Sequence, residues 1–298
     1  MAPHSKPGDA FLRGRPFDLL KDVEDLVMAS VQRAIDPAPS GAPTAARAAL
    51  HHLSAKGQRL RTRLALHASL ALGLSANDAV AIASAVELLH NASLIHDDLQ
   101  DRDRIRRGHP SVWADYGDDI AICAGDLLLS GAYVSLAAFS RPERLAALIA
   151  LTHQRTAMAI AGQCADIGTR RCDPIEISDY ERIAGAKSGS LIGLPLELAL
   201  VASDNAAFCA QARCAAESFA IGYQIVDDIQ DRDSDARTRG SLNIHAVLHG
   251  IDPMQDPFRQ ARSLGLKHLS DAAAAALLLP KRCGDLLREF ALRVSAQL

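Results

Sequence analysis

Most apolar positions fall in long helical runs, and no segment sustains a period-two alternation. The pattern predicts helices over Phe17 to about Ala34, onward from Thr44, and from Ala76 to about Arg102 with Ser75 as the cap. Further helices follow over Gly117–Phe139, Glu143–Ile167, Lys187–Ala202 and Asn205–Asp231, then in pieces from Leu242, Pro257 and Pro280. Pro37, Pro39, Gly41 and Pro43 enforce a loop, while Gly108 and Pro110 are expected to stop the helix that precedes them. No sheet is expected. Residues 1–16 read as a disordered tail and 17–298 as a single all-α domain. Polar residues interrupt the apolar runs often enough that none is expected to span a bilayer.

Composition narrows the setting. Hydrophobic residues make up 49% of the 298 positions and aromatics only 4%, which is helix-forming material. A net charge of −3 gives no global attraction to nucleic acid or to an anionic membrane, so any phosphate binding must be local. The six cysteines show no C-x-x-C and no metal-site spacing, and read as small buried hydrophobes of a reducing compartment. With no secretory signal evident before Pro16, a cytoplasmic protein is expected.

Two stretches break the apolar pattern in the same way. Asp97-Asp98-Leu99-Gln100-Asp101 and Asp227-Asp228-Ile229-Gln230-Asp231 each end an apolar helical run, 130 positions apart. First and last aspartates are four apart, so on a helix Asp97 stands over Asp101 and Asp227 over Asp231. Like charges at that spacing cost an isolated helix about 0.2–0.5 kcal/mol a pair, which points to a cation between them. A few carboxylate oxygens, completed by water and phosphate, describe Mg²⁺.

Basic residues lie close by in the sequence. Arg106-Arg107-Gly108-His109-Pro110 places two guanidiniums after the first quintet, suited to phosphate or to a salt bridge with Asp103. Lys56-Gly57-Gln58-Arg59-Leu60-Arg61-Thr62-Arg63 is either a solvated junction or an anion site at a helix N-terminus. His90 shares a stripe with Leu94, Asp97 and Asp101, and reads equally as a core histidine or a ligand contact. Gln163 and Asp166 share a helix face, and Lys187 is expected to open a helix.

These motifs together resemble the trans-isoprenyl diphosphate synthases, the polyprenyl synthetase family, over roughly residues 45–235. Glu87-Leu88 with His90, Gly125-Asp126, Gly162-Gln163 with Asp166, and Lys187-Ser188 are further stretches similar to that family's. The resemblance implies an isoprenoid synthase-type helical bundle around a deep central cavity, usually a homodimer. It implies that Asp97, Asp98, Asp101, Asp227, Asp228 and Asp231 hold Mg²⁺, three ions per site, against an allylic diphosphate gripped by Arg106, Lys187 and Gln224. Arg61, His90 and Arg107 would then grip isopentenyl diphosphate. The implied reaction is one head-to-tail C5 addition through an allylic cation. Departing negative charge must meet preorganised cations, and an apolar cavity must keep water from the cation.

Three departures stand out. Gln58 occupies the place of a lysine expected to touch isopentenyl diphosphate, and the run from Arg237 to Asn243 lacks the family's Gly-Lys and its later Asp with a second Lys. Ala92 and Ser93, five and four residues before Asp97, are small where bulky aromatics would stop growth early; geranylgeranyl diphosphate, C20, is the expected product. A class I terpene cyclase and a non-catalytic partner subunit are the alternative readings.

Overall fold

Ser75 caps a 26-residue helix by accepting the Asp78 amide at 3.1 Å, and Asp78 in turn binds the Ser140 amide and hydroxyl at 2.8 Å each. One buried carboxylate thus fastens both the start of that helix and a loop 62 residues away. The computed structural model describes residues 16–32, 44–55, 57–169, 175–230, 242–251 and 256–298.

The fold is all-α, with contacts clustering into two compact units, 1–149 and 150–298. The first contains α1 (Pro16–Gln32), α2 (Ala45–Ser54), α3 (Leu60–Leu72), α4 (Ala76–Asp101), α5 (Val112–Tyr116) and α6 (Asp118–Leu136). Helix α4 packs against α3, α6 and α1, and its middle is buried almost all round, as a helix made of Ala, Ile, Val and Leu permits.

Helix α7 (Pro142–Thr169) runs across the boundary. The second unit holds α8 (Ile177–Ala184), α9 (Ser190–Ala202), α10 (Cys209–Gln230), α11 (Ile244–Ile251), α12 (Pro257–Leu277) and α13 (Asp285–Ser295). Helix α10 packs on α12 and α9. A Cβ on Gly222 would stand 2.7 Å from Leu269 Cγ, so glycine is what allows α10 and α12 to approach this closely.

Four sequence expectations need correction. A two-residue antiparallel ladder pairs β1 (Ile105–Arg106) with β2 (His109–Pro110), too short to leave a periodic signal. Its turn residues, Arg107 and Gly108, have φ of 53° and 80°, the left-handed pair that tight hairpins demand. Helix α4 ends at Asp101, seven residues before Gly108, where the C-cap Arg102 adopts φ 60° and its amide donates to Asp98 O.

Lys187 does not open a helix either. It sits in a π-helical turn, Gly185–Gly189, within a continuous helix over Ile177–Ala202. Single π turns inside α-helices recur at functional sites.

Finally, α4, α6 and the Ile177–Ala202 helix are apolar and long enough to cross a bilayer by length and composition, contrary to the expectation of broken runs. For α4 and Ile177–Ala202, 67% and 83% of the apolar window is buried, so their apolarity serves the protein interior.

Candidate functional site

The described aspartates of each quintet gather polar partners within their own unit. On α4, Asp97 and Asp101 are half-buried, whereas Asp98 points inward with 0% exposure. Arg106 donates to Asp98 Oδ1 through Nε at 2.8 Å and through Nη2, and reaches Asp103 at 3.7 Å. Asp98 Oδ2 is buried and without a hydrogen bond among the described residues. Burial pushes the Asp98 carboxyl above the usual range, and Arg106 opposes the rise. The hairpin therefore swings Arg106 back onto the quintet. Trp113 Nε1 and Ser111 Oγ hold its base by donating to Asp103 O at 2.8 and 2.6 Å.

The second arginine turns the other way. Arg107 Nη1 donates to Ala55 O at 2.9 Å, and its guanidinium lies over Gly57, where any Cβ would stand 2.7 Å from it. Nearby, Arg61 Nη1 donates to His90 Nε2 at 3.3 Å, so the His90 proton sits on the buried Nδ1. Desolvation first, and then the charges of Arg61 and Arg107, hold His90 well below its ordinary pKa and keep it neutral. Arg61, His90 and Arg107 are thus brought together, as expected. At the N-terminus of α3 beside them the N-cap residue, Arg59, makes no side-chain cap hydrogen bond. Gln58 is exposed, Ala92 is buried, and half-buried Ser93 donates its hydroxyl to His90 O.

Beneath this cluster lies a polar network that sequence reasoning missed. Thr62 donates to Glu87, Asn91 Nδ2 donates to Glu87 O and Oε1, and His52 Nε2 donates to Asn91 Oδ1 at 3.2 Å. Burial, and next the charge of Arg107, push His52 down to about 4. The unfolded chain therefore takes up a proton near pH 6.5 that the folded one refuses until about pH 4. Stability from this group is complete above pH 6.5 and drains away as pH falls through that window, with His90 adding the same sign. Thermal melts between about pH 7 and 5 should show a steeper fall for the native chain than for His52→Gln. Parallel slopes would refute the assignment.

In the second unit, a Cβ on Gly162 would lie 2.3 Å from the Lys187 amide nitrogen, so glycine lets α7 touch the backbone of the π turn. That approach brings Lys187 Nζ to 2.6 Å from Asp166 Oδ2, and Gln163 is buried one turn earlier. On α10, Asp227 is exposed while Asp228 is 4% exposed. Asp228 accepts from Gln224 Nε2 at 2.9 Å, from the Tyr180 hydroxyl at 2.8 Å and from the Ile244 amide at 2.8 Å. Burial, then the negative charges of Asp228, Asp227 and Asp166, raise the Tyr180 phenol well above its ordinary pKa and keep it a donor. Lys56, Asp231 and the run from Arg237 to Ser241 lie outside the described residues.

No group of three His, Cys, Asp or Glu side chains able to hold a metal occurs among the described residues. Mg²⁺ suits such pairs, since it takes one or two carboxylates and fills its shell with water and phosphate oxygens. The oxygen donors Asp97 and Asp101 on α4 therefore fit that ion, as does Asp227 on α10, taken by itself.

Comparison with known proteins identifies the family. The polyprenyl synthetase family profile matches residues 43–242. A short chain isoprenyl diphosphate synthase of Methanothermobacter thermautotrophicus is 32% identical over 76% of this chain and 70% of its own. A geranylgeranyl pyrophosphate synthase of Geoglobus acetivorans is 32% identical over 72% of this chain and 67% of its own. In fold, the crystal structure of a geranylgeranyl pyrophosphate synthetase from Pyrococcus horikoshii superposes with a TM-score of 0.81 at 24% identity, covering 95% of this chain and 99% of that one. With two aspartate quintets, an Arg-Arg hairpin and a lysine-bearing π turn in a helical fold of this kind, the chain belongs to the polyprenyl synthetase family.

Proposed function

We propose that the chain is a trans-prenyltransferase that adds isopentenyl diphosphate to an allylic diphosphate, with geranylgeranyl diphosphate as its main product. The observation that supports this most is that each quintet lies beside its own phosphate-binding groups. Asp97 and Asp101 have Arg106, with Arg61, His90 and Arg107 nearby, and Asp227 has Gln224 on its own helix, with Lys187 on the Asp166 carboxylate.

In this reading Asp97 and Asp101 would hold Mg²⁺ on α4, and Asp227 with Asp231 of its quintet would do so in the second unit. When bound, the metal supplies positive charge to the departing diphosphate. Lys187, Arg106 and Gln224 orient that diphosphate, and the carbon–oxygen bond to the allylic carbon breaks. The isopentenyl double bond forms the new carbon–carbon bond, and the proton it then loses passes to the released diphosphate. Arg61 and Arg107 hold the isopentenyl diphosphate, and neutral His90, with its proton fixed on Nδ1, adds no charge to that grip. Preorganised donors of this kind are worth about 10²–10³ each in rate.

A second copy of the chain is the proposed partner. Helix α6 leaves Val134 63% exposed, and the groove it lines is formed by Leu26, Leu127, Gly131 and Ala138 together with Ser30, Ser130 and Ser135. An exposed apolar strip of this sort marks an interface.

Product length gives the test. With labelled isopentenyl diphosphate and a farnesyl starter, the native chain is expected to make C20. Ala92→Phe and Ser93→Phe should shift the products made from shorter starters toward C15. Ala92 is 2% exposed, so its variant also carries an overpacking cost of about 1–3 kcal/mol, whereas half-buried Ser93 avoids most of it. Unchanged products in both variants would remove these positions from the cavity wall.

A further inference from the structure

Tyr180 belongs to none of the motifs above, yet it is fully buried and its hydroxyl is spent on the second quintet. It packs among Ile221 and Ile225 of α10 and Ile244, Val247 and Leu248 of α11. The carboxylate it meets is already crowded. Asp228 Oδ2 accepts both the Tyr180 hydroxyl and the Ile244 amide, and Oδ1 accepts Gln224. The Ile244 amide is one of the first-turn donors of α11, which have no partner within their own helix, so the carboxylate does there what a cap does elsewhere. Three donors thus take three of the about four acceptor sites of this carboxylate, and one of them belongs to the backbone of another helix.

Asp98, the matching position of the first quintet, is likewise buried and occupied by Arg106. In both quintets the second aspartate faces protein, while the first is at least partly accessible.

We propose that Asp228 is a positioning residue rather than a metal ligand. Together with Tyr180 and the Ile244 amide it fastens α8 and the start of α11 to the helix that carries Asp227. Because α8 runs on through the π turn, the same tether sets Lys187 relative to Gln224 and Asp227. The proposal rests on the preceding reading, in which Asp227 holds the metal.

The test compares Asp227→Asn, Asp228→Asn, Asp228→Ala and Tyr180→Phe with the native chain. Two readouts are needed: Mn²⁺ binding in the presence of inorganic pyrophosphate, followed by electron paramagnetic resonance, and hydrogen exchange at the Ile244 amide. Asp227→Asn should weaken Mn²⁺ binding by about tenfold or more, because a ligand charge is lost. Asp228→Asn should leave that binding unchanged. Its amide oxygen still accepts from Tyr180 and Ile244, and Gln224 can turn to present its carbonyl. Tyr180→Phe and Asp228→Ala should speed exchange at Ile244 by about five- to tenfold or more, while Asp228→Asn keeps it protected.

Equal loss of Mn²⁺ affinity in Asp227→Asn and Asp228→Asn would overturn the proposal. So would unchanged Ile244 exchange in both Tyr180→Phe and Asp228→Ala. If Asp227→Asn itself leaves Mn²⁺ binding intact, the metal reading fails, and the exchange result alone decides the tether.

Discussion

Replacing Asp227 or Asp97 with alanine should lower the turnover rate by about 10³ or more, roughly 4 kcal/mol of lost transition-state stabilisation, while the fold stays intact. Both parts follow from where these residues sit. Asp227 is exposed and Asp97 half-buried, so neither supports the core. Removing Asp97 also relieves its like-charge neighbour one turn away, Asp101, worth about 0.2–0.5 kcal/mol to the isolated helix. The melting temperature should therefore hold or rise slightly as activity collapses, and added Mg²⁺ should recover part of the rate. Steady-state kinetics beside thermal unfolding checks this. A variant that loses several degrees along with its activity would show the aspartate to be structural.

The largest stability effect should come from a residue far from the quintets in sequence. Arg155 and Glu197 form a bidentate pair, with Nε to Oε1 at 2.8 Å and Nη2 to Oε2 at 2.6 Å, and both side chains are buried at 3% and 1% exposure. Glu197→Ala strips a buried guanidinium of its bidentate partner and leaves only the more distant Glu217 carboxylate to offset its charge, a cost of about 3–5 kcal/mol. For a unit of this size that corresponds to roughly 10 °C in melting temperature. Replacing both partners, Arg155→Met with Glu197→Leu, should recover most of the loss, because the penalty comes from the stranded charge more than from the missing attraction. Calorimetry of the three variants decides it. A double variant no better than Glu197→Ala would mean that the pair itself supplies the stability.

What the sequence shows of this molecule follows the reach of its signals. Helices were legible because Ala- and Leu-rich runs several turns long outweigh local exceptions, and the Ser75 cap was legible because a hydroxyl three residues before an acidic side chain is a local feature. The quintets stood out because carboxylates four apart oppose helix formation. Which aspartate of each pair turns inward was not legible: neighbours on a helix differ by about 100° in direction, and sequence does not say which side carries protein. The hairpin was too brief to register. Gly185 and Gly189 are both buried and the chain stays helical through a π turn, which two glycines four apart do not announce. Glu197 stands in the run Leu194-Pro195-Leu196-Glu197-Leu198, and Arg155 lies 42 positions away in α7. A charge inside an apolar run was the one signal, and its partner could be found only in three dimensions.

The most direct measurement is product analysis of the purified chain with labelled isopentenyl diphosphate and C5, C10 or C15 allylic starters, with Mg²⁺ and again after chelation. The expected result is label in longer allylic diphosphates up to C20 when Mg²⁺ is present, and none once it is removed. Turnover that survives chelation, or no elongation from any starter with the metal present, would contradict the reading of the two quintets as metal-binding motifs for diphosphate departure.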